Sequence, residues 1–180
     1  AKEVQSDTLP GEIQADPVLL KNGVIFPLPG RLKLFSLKTG APSVGDYEME
    51  VIQDEKQPRW TYLTVLNGQV IATDERGGIV RVQLGQASLG KAVARKLDRP
   101  VTQGMTVLDQ KLIITDSSGQ LHWLSSSSLT PTASHLLPEK VTNNLWSHNG
   151  YLYVETAYQR LRCFKFENNK FKQVWEKTLL

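Results

Sequence analysis

The stretch Leu63-Thr64-Val65-Leu66-Asn67-Gly68-Gln69-Val70-Ile71-Ala72-Thr73-Asp74-Glu75-Arg76-Gly77-Gly78-Ile79-Val80-Arg81-Val82 decides the fold of this chain. Two short apolar runs, Leu63 to Leu66 and Val70 to Ala72, flank the pair Asn67-Gly68. Asn-Gly suits a two-residue hairpin turn, because both central positions need positive φ, which Gly accepts freely and Asn tolerates better than most residues. A polar break at Arg76 to Gly78 follows, and then Ile79, Val80 and Val82 open a third run. Apolar residues alternating with polar ones over this length mean strand.

The same order recurs on either side. Asn22-Gly23, Asn67-Gly68, Asp109-Gln110 and Asn149-Gly150 stand 45, 42 and 40 residues apart. Val18 to Leu20 and Val24 to Phe26 flank the first pair, Met105 to Leu108 and Leu112 to Ile114 the third, and Leu145-Trp146 and Tyr151 to Val154 the fourth. Second breaks fall at Pro29-Gly30, Arg76 to Gly78, Ser117 to Gly119 and Tyr158 to Arg160. Third strands follow at Leu32 to Leu37, Ile79 to Val82, Leu121 to Leu124 and Leu161 to Phe166, closed by breaks at Lys38 to Gly40, Gln83 to Gln86, Ser125 to Ser128 and Asn168-Asn169. Fourth strands, the weakest of each unit, are expected near Tyr47 to Ile52, Lys91 to Leu97, Ala133 to Leu137 and Gln173 to Leu179. Weak, charged strands belong at a sheet edge.

Four strands at a period of 40 to 45 residues is the arithmetic of a β-propeller blade. The expected fold is all-β: four four-stranded antiparallel sheets forming half of a larger ring, with a closed four-bladed propeller as the alternative. Repeats are expected over 11–58, 59–101, 102–142 and 143–180, after a polar tail at 1–10. The tail, with its continuation to Asp16, is expected to be partly mobile. A single blade has two apolar faces and needs neighbours on both sides, so the second strands are apolar without clear alternation. A sixteen-strand barrel or sandwich would also give short strands at regular spacing, but not the unit-to-unit repeat.

The first unit runs Gly11-Glu12-Ile13-Gln14-Ala15-Asp16-Pro17-Val18, Asn22-Gly23-Val24-Ile25, then Gly30-Arg31-Leu32-Lys33-Leu34-Phe35-Ser36-Leu37-Lys38-Thr39-Gly40. It resembles a blade of the PQQ-like, quinoprotein-type propeller repeat, with its Pro-Val entry, Leu-aromatic-x-Leu core and Thr-Gly turn. Lys172-Gln173-Val174-Trp175 resembles that repeat's fourth strand. The Thr-Gly turn survives only at Thr39-Gly40 and the Trp only at Trp175. Members that hold the quinone use adjacent cysteines and a calcium site, and this chain has one cysteine, Cys163. The resemblance therefore implies a cofactor-free scaffold for a protein or peptide partner, like the periplasmic outer-membrane assembly lipoproteins or bacterial kinase sensor portions of that family. It also implies an extracytoplasmic compartment. The alternative is part of a quinoprotein-type dehydrogenase or other propeller enzyme. Remaining blades of a larger ring, or a second copy, would complete the circle.

Composition narrows function by exclusion. The net charge of +3 spreads 21 Lys and Arg among 18 Asp and Glu, without the clustered basic residues of a nucleic-acid binder. Arg160, Arg162 and Lys165 read as an ordinary strand surface. No apolar run approaches the ~20 residues of a membrane helix. The chain begins with Ala rather than Met, as a mature or excised piece would. The histidines His122, His135 and His148 fall in three strands with no acidic residue at ligand spacing, so no metal and no catalytic group is assigned. Asp74-Glu75 and Asp116 precede the second breaks, and their expected work is capping turns. The four tryptophans are expected between blades and Cys163 as a buried, inert thiol. Loops on a rigid scaffold carry binding residues. The second breaks share one face of a propeller, so Glu75, Arg76, Ser117, Ser118, Tyr158 and Gln159 are the candidate partner contacts.

Overall fold

A computed structural model of the chain describes residues 9, 11–42, 45–50, 55–85 and 88–179. All the regular elements among them are strands. The first sheet holds β1 (Val18–Leu19), β2 (Gly23–Leu28), β3 (Arg31–Ser36) and β4 (Tyr47–Glu48). The second holds β5 (Trp60–Leu66), β6 (Gln69–Asp74), β7 (Gly78–Leu84) and β8 (Leu89–Lys96). The third holds β9 (Val101–Leu108), β10 (Lys111–Asp116), β11 (Gln120–Leu124) and β12 (Pro131–Leu136). The fourth holds β13 (Trp146–His148), β14 (Tyr151–Thr156), β15 (Arg160–Glu167) and β16 (Lys170–Thr178). Within each sheet the strands lie side by side in chain order.

Asn67-Gly68, Asp109-Gln110 and Asn149-Gly150 form two-residue turns with positive φ at both positions. The first turn differs. Leu19 pairs with Val24 and the Leu20 amide donates to the Gly23 carbonyl, so Lys21 and Asn22 form the turn and Gly23 already belongs to β2. The slip matters because one residue of register exchanges the two faces of a strand. It makes Ile25, not Phe26, the counterpart of Ile71, Ile113 and Tyr153.

That alternation divides the core. Ile25, Leu32 and Leu34 of the first sheet meet Val70, Ala72, Val80 and Val82 of the second. Ile71 and Ile79, on the second sheet's other face, meet Leu112, Ile114 and Leu124 of the third. Ile113, Leu121 and Trp123 then meet Leu152, Val154 and Phe164 of the fourth. Each fully buried aliphatic or aromatic side chain in these layers stabilises by about 1.5–3 kcal/mol, which explains why β6 and β10 read as continuous apolar runs. No core cluster, and no strand packing of comparable extent, joins the fourth sheet to the first among the described residues. The four sheets make an open arc.

The fourth strands do lie at sheet edges, but they are not uniformly weak. β8 and β16 run for eight and nine residues, whereas β1, β4 and β13 have two, two and three. The long edge strands are covered with charge, as at Lys91, Arg95 and Lys96, which keeps their free backbone from recruiting other chains. β9 starts at Val101, one residue ahead of the expected third repeat. The tail at 1–8 and residue 10 lie outside the described residues, as do Val51, Ile52 and Gln86. Near it, the Gln14 amide donates to the Pro27 carbonyl and the Gln14 side chain accepts from the Trp60 amide.

Candidate interaction face

The turns between second and third strands lie on one side of the arc, together with the links from each sheet to the next. Two of these turns share one construction. Asp74 Oδ1 accepts the amides of Arg76 and Gly78, each at 2.8 Å. Asp116 Oδ1 accepts those of Ser118 and Gln120 at 2.8 and 3.1 Å. Both carboxylates cap turns, the role expected of them. The fit is tight, since a Cβ on Gly78 would stand 2.0 Å from Asp74 Oδ2.

Asp116 has further partners. The Ser118 hydroxyl donates to Oδ1 at 2.6 Å and His122 Nε2 lies 2.8 Å from Oδ2. An ionised carboxylate only accepts, so His122 carries a proton on Nε2, and its Nδ1 is buried without a partner among the described residues. Burial would raise the Asp116 carboxyl, but the hydrogen bonds from Ser118, His122 and Gln120 outweigh it and hold the group below its ordinary value. This corrects the expectation that no histidine meets an acid. His122 lies six residues beyond Asp116, across the turn, and the hairpin of β10 and β11 folds the two together.

In the fourth sheet Thr156 takes the aspartate's place. Its hydroxyl donates to Glu139 Oε2 at 2.9 Å, a carboxylate supplied by the link after β12. Arg162, counterpart of His122, donates to the same oxygen at 2.6 Å and reaches Glu176 at 2.5 Å. Arg160 pairs with Glu176 at 2.9 Å. Arg162 is thus buried, not the surface residue its alternation with Arg160 and Lys165 suggested. The guanidinium facing Glu139 holds that carboxyl below its ordinary value. His135, packed edge-on to Phe164, is pushed down by burial and by the nearby Arg162 charge.

The six candidate contacts divide. Tyr158 is 79% exposed, and with Gln159 forms a positive-φ turn. Glu75 accepts the Arg59 amide, and Arg76 pairs with Glu55 at 2.7 Å. The Ser117 amide donates to the Pro100 carbonyl, and Ser118 is spent on Asp116. Sequence reasoning missed the clefts beside these turns. One of about 250 Å3 between the first and second sheets is lined by Tyr47, Trp60, Asp74, Arg76 and Arg95. The Tyr47 hydroxyl there is pushed up by burial and by the Asp74 and Glu50 charges. A second, about 320 Å3, between the second and third sheets, carries Arg95, Lys96, Arg99, Asp98 and Asp116. The cations come from β8 and the link after it, where no turn motif marks them. No group of three or more His, Cys, Asp or Glu able to hold a metal occurs among the described residues.

Trp60 and Trp123 are buried between sheets as expected, but Trp146 and Trp175 are 46% and 36% exposed. Cys163 is buried and its thiol is pushed up by that burial.

Four-stranded antiparallel sheets stacked face to face around an inner line of first strands define a β-propeller arc. Comparison with solved structures agrees. BamB from Moraxella catarrhalis matches with a TM-score of 0.69 at 15% identity, over 94% of this chain and 51% of that one. Apo AztD from Citrobacter koseri matches with 0.71 at 13%, over 99% and 49%. BBS1N in complex with ARL6DN matches with 0.67 at 10%, over 87% and 50%. The chain spans about half the length of the structures it matches, and the likeness establishes the fold. No protein-family model and no curated protein matches the sequence significantly. No helix is long and apolar enough to cross a membrane among the described residues.

Proposed function

We propose that this chain is a non-enzymatic β-propeller scaffold of PQQ-like type, working outside the cytoplasm, that receives an acidic segment of a protein partner across its second-turn face. One observation carries the reading: of the two carboxylates in the 320 Å3 cleft Asp116 is spent within the chain, which leaves Asp98 alone beside Arg95, Lys96 and Arg99 and the cations in excess. Asp74 and Asp116 cap turns, and Glu139 serves Thr156 and Arg162. Arg95 and Arg99, beside the 320 Å3 cleft, have no ion-pair partner among the described residues. A cleft with an excess of one sign of charge concentrates ligands of the other. A structure of similar fold, BBS1N, was solved in complex with the protein ARL6DN, which supports a partner-binding role for such an arc.

The test is fluorescence anisotropy with a labelled oligoglutamate peptide, beside an oligolysine control. Saturable, salt-sensitive binding of the glutamate peptide is expected, with loss of at least tenfold in affinity on Arg95→Glu/Arg99→Glu at unchanged melting temperature. Reversal at Arg76 is expected to have a smaller effect, because Glu55 already occupies that side chain. Absence of glutamate binding, or equal binding by the double variant, overturns the proposal.

A further inference from the structure

In an antiparallel sheet, residues directly opposite one another form rows across the strands, and each row lies on one face. Two rows cross the middle of every sheet here. One runs Val18-Ile25-Leu34 in the first sheet, Thr64-Ile71-Arg81-Val93 in the second and Thr106-Ile113-Trp123-Ala133 in the third. In all three this row is covered by the next sheet: Ile25, Ile71 and Ile113 are at most 1% exposed, and Arg81 donates to the Ser126 carbonyl of the third sheet. The corresponding row of the fourth sheet is Trp146-Tyr153-Cys163-Trp175; no sheet among the described residues packs on it, and although Cys163 is itself buried, Trp146 and Trp175 are left 46% and 36% exposed. Tyr153 leans on Trp175 with ring centroids 6.0 Å apart.

The other row faces the preceding sheet. In the second, third and fourth sheets it is built on Val70 and Val82, Leu112 and Leu124, and Leu152 and Phe164, all fully buried. In the first sheet it is Leu19-Val24-Phe35, with Phe26 set edge-on to Phe35 at 5.5 Å. Leu19 is 72% exposed. Among the described residues, therefore, one row lacks a successor and one lacks a predecessor, and by the repeat they are the two sides of the joint formed three times within the chain.

We propose that the uncovered face of the fourth sheet, presented by Trp146, Tyr153 and Trp175, docks on the uncovered face of the first sheet, presented by Leu19, Val24 and Phe35, of a second copy of this chain, and that the reverse contact closes the pair into a ring. The occupant is set by continuity with the joints already present, since the surface each end lacks is the surface the other end bears. Two of the flanking lysines are already neutralised, Lys33 by Asp46 at 3.0 Å and Lys165 by Glu167 at 2.6 Å. Two interlocking heterologous contacts that close leave no free end for growth.

Sedimentation velocity on the full chain tests this. The expected species has twice the 20.2 kDa chain mass and dissociates on dilution with a red shift of tryptophan emission. Trp175→Glu and Phe35→Lys are each expected to give folded monomers. Mixing the two is expected to restore the dimer, because each pair then holds one unaltered joint and one Glu–Lys joint. Should Trp175→Glu fail to fold, Trp146→Glu, at a more exposed site, takes its place. A monomer at every concentration, an assembly larger than two, or a dimer indifferent to these substitutions overturns the proposal.

Discussion

Removing the Asp116 carboxylate is expected to unlock the turn between β10 and β11. It accepts four hydrogen bonds: the amides of Ser118 and Gln120, the Ser118 hydroxyl and His122 Nε2. Hydrogen bonds to charged groups contribute about 1.5–3 kcal/mol each. Members of one network do not add, and water can reach freed amides at a turn, so Asp116→Ala is expected to cost about 3 kcal/mol. Against a typical domain stability of roughly 5–15 kcal/mol, that is a large fraction. Asp116→Asn retains an oxygen for the two amides but loses the charge, and is expected to cost about half as much. Urea unfolding followed by tryptophan fluorescence measures both. The effect also has a pH signature. The folded-state carboxyl lies below its ordinary value of 3.8, so the ionised group contributes stability above that value, and the contribution is lost as pH falls through the lower folded value. The gap between wild type and Asp116→Asn should therefore be full at neutral pH and shrink only in strong acid. An alanine variant within 0.5 kcal/mol of wild type, or a gap that closes already near neutrality, would refute the cap.

Five further outcomes follow from other residues. Gly78→Ala is expected to destabilise by about 2 kcal/mol, since its Cβ would strike the capping Asp74 carboxylate, whereas Gly68→Ser, where nothing lies within 4 Å, is expected to lose only the glycine's tolerance of positive φ, about 1 kcal/mol. Gln110 adopts φ of 63° in the third turn, so Gln110→Gly is expected to raise stability by roughly 1 kcal/mol, read as a higher melting temperature. Arg162→Ala removes the buried partner of Glu139 and Glu176 and leaves both to the half-exposed Arg160, and is expected to cost about 2 kcal/mol, measured by urea unfolding. Cys163, buried with its thiol pushed up by burial, is expected to react with a thiol reagent only in denaturant; fast labelling in buffer would contradict that burial.

How far the sequence discloses this molecule depends on the range of the interaction. The hairpins were legible because turn chemistry and period-two patterning act within a few residues, as at Asn67-Gly68 and the flanking β5 and β6. The register slip at Lys21-Asn22 was not, because Asn22-Gly23 satisfies the same local rule whether or not Gly23 joins the strand; packing of Ile25 against Val70 and Ala72 decides it. Capping by Asp74 and Asp116 was readable for the same local reason. Arg95 and Arg99 were overlooked as cleft residues because what isolates them is the engagement of Asp116 elsewhere, a property of three-dimensional bookkeeping. Residue type alone places Trp146 and Trp175 between sheets, yet the fourth sheet has no successor among the described residues to cover them.

The position that precedes each second turn shows why local erosion of a repeat need not weaken the fold. Asp74 caps its turn alone, with Val80 six residues on in the apolar layer. Asp116 adds His122 at that later position. At Thr156 the carboxylate is gone from the strand, and the turn at Tyr158-Gln159 instead adopts two positive-φ residues that need no aspartate cap. Glu139 then brings a carboxylate in from the preceding link, and Arg162 replaces His122 to meet it. From the second sheet to the fourth what persists is an anion beside the turn, rather than any residue type, and a third-strand side-chain donor joins it only at His122 and Arg162. Because Glu139 belongs to the link from the third sheet, the substitution converts a contact within one hairpin into a tie between two sheets. Loss of Glu139 should therefore loosen the joint between the third and fourth sheets, whereas loss of Asp116 loosens a single turn. Hydrogen exchange separates the two cases: faster exchange spreading over both β11 and β15 in Glu139→Ala, against exchange confined to the β10–β11 turn in Asp116→Asn. Identical patterns in the two variants would mean that the carboxylate from the link is no more than a local cap.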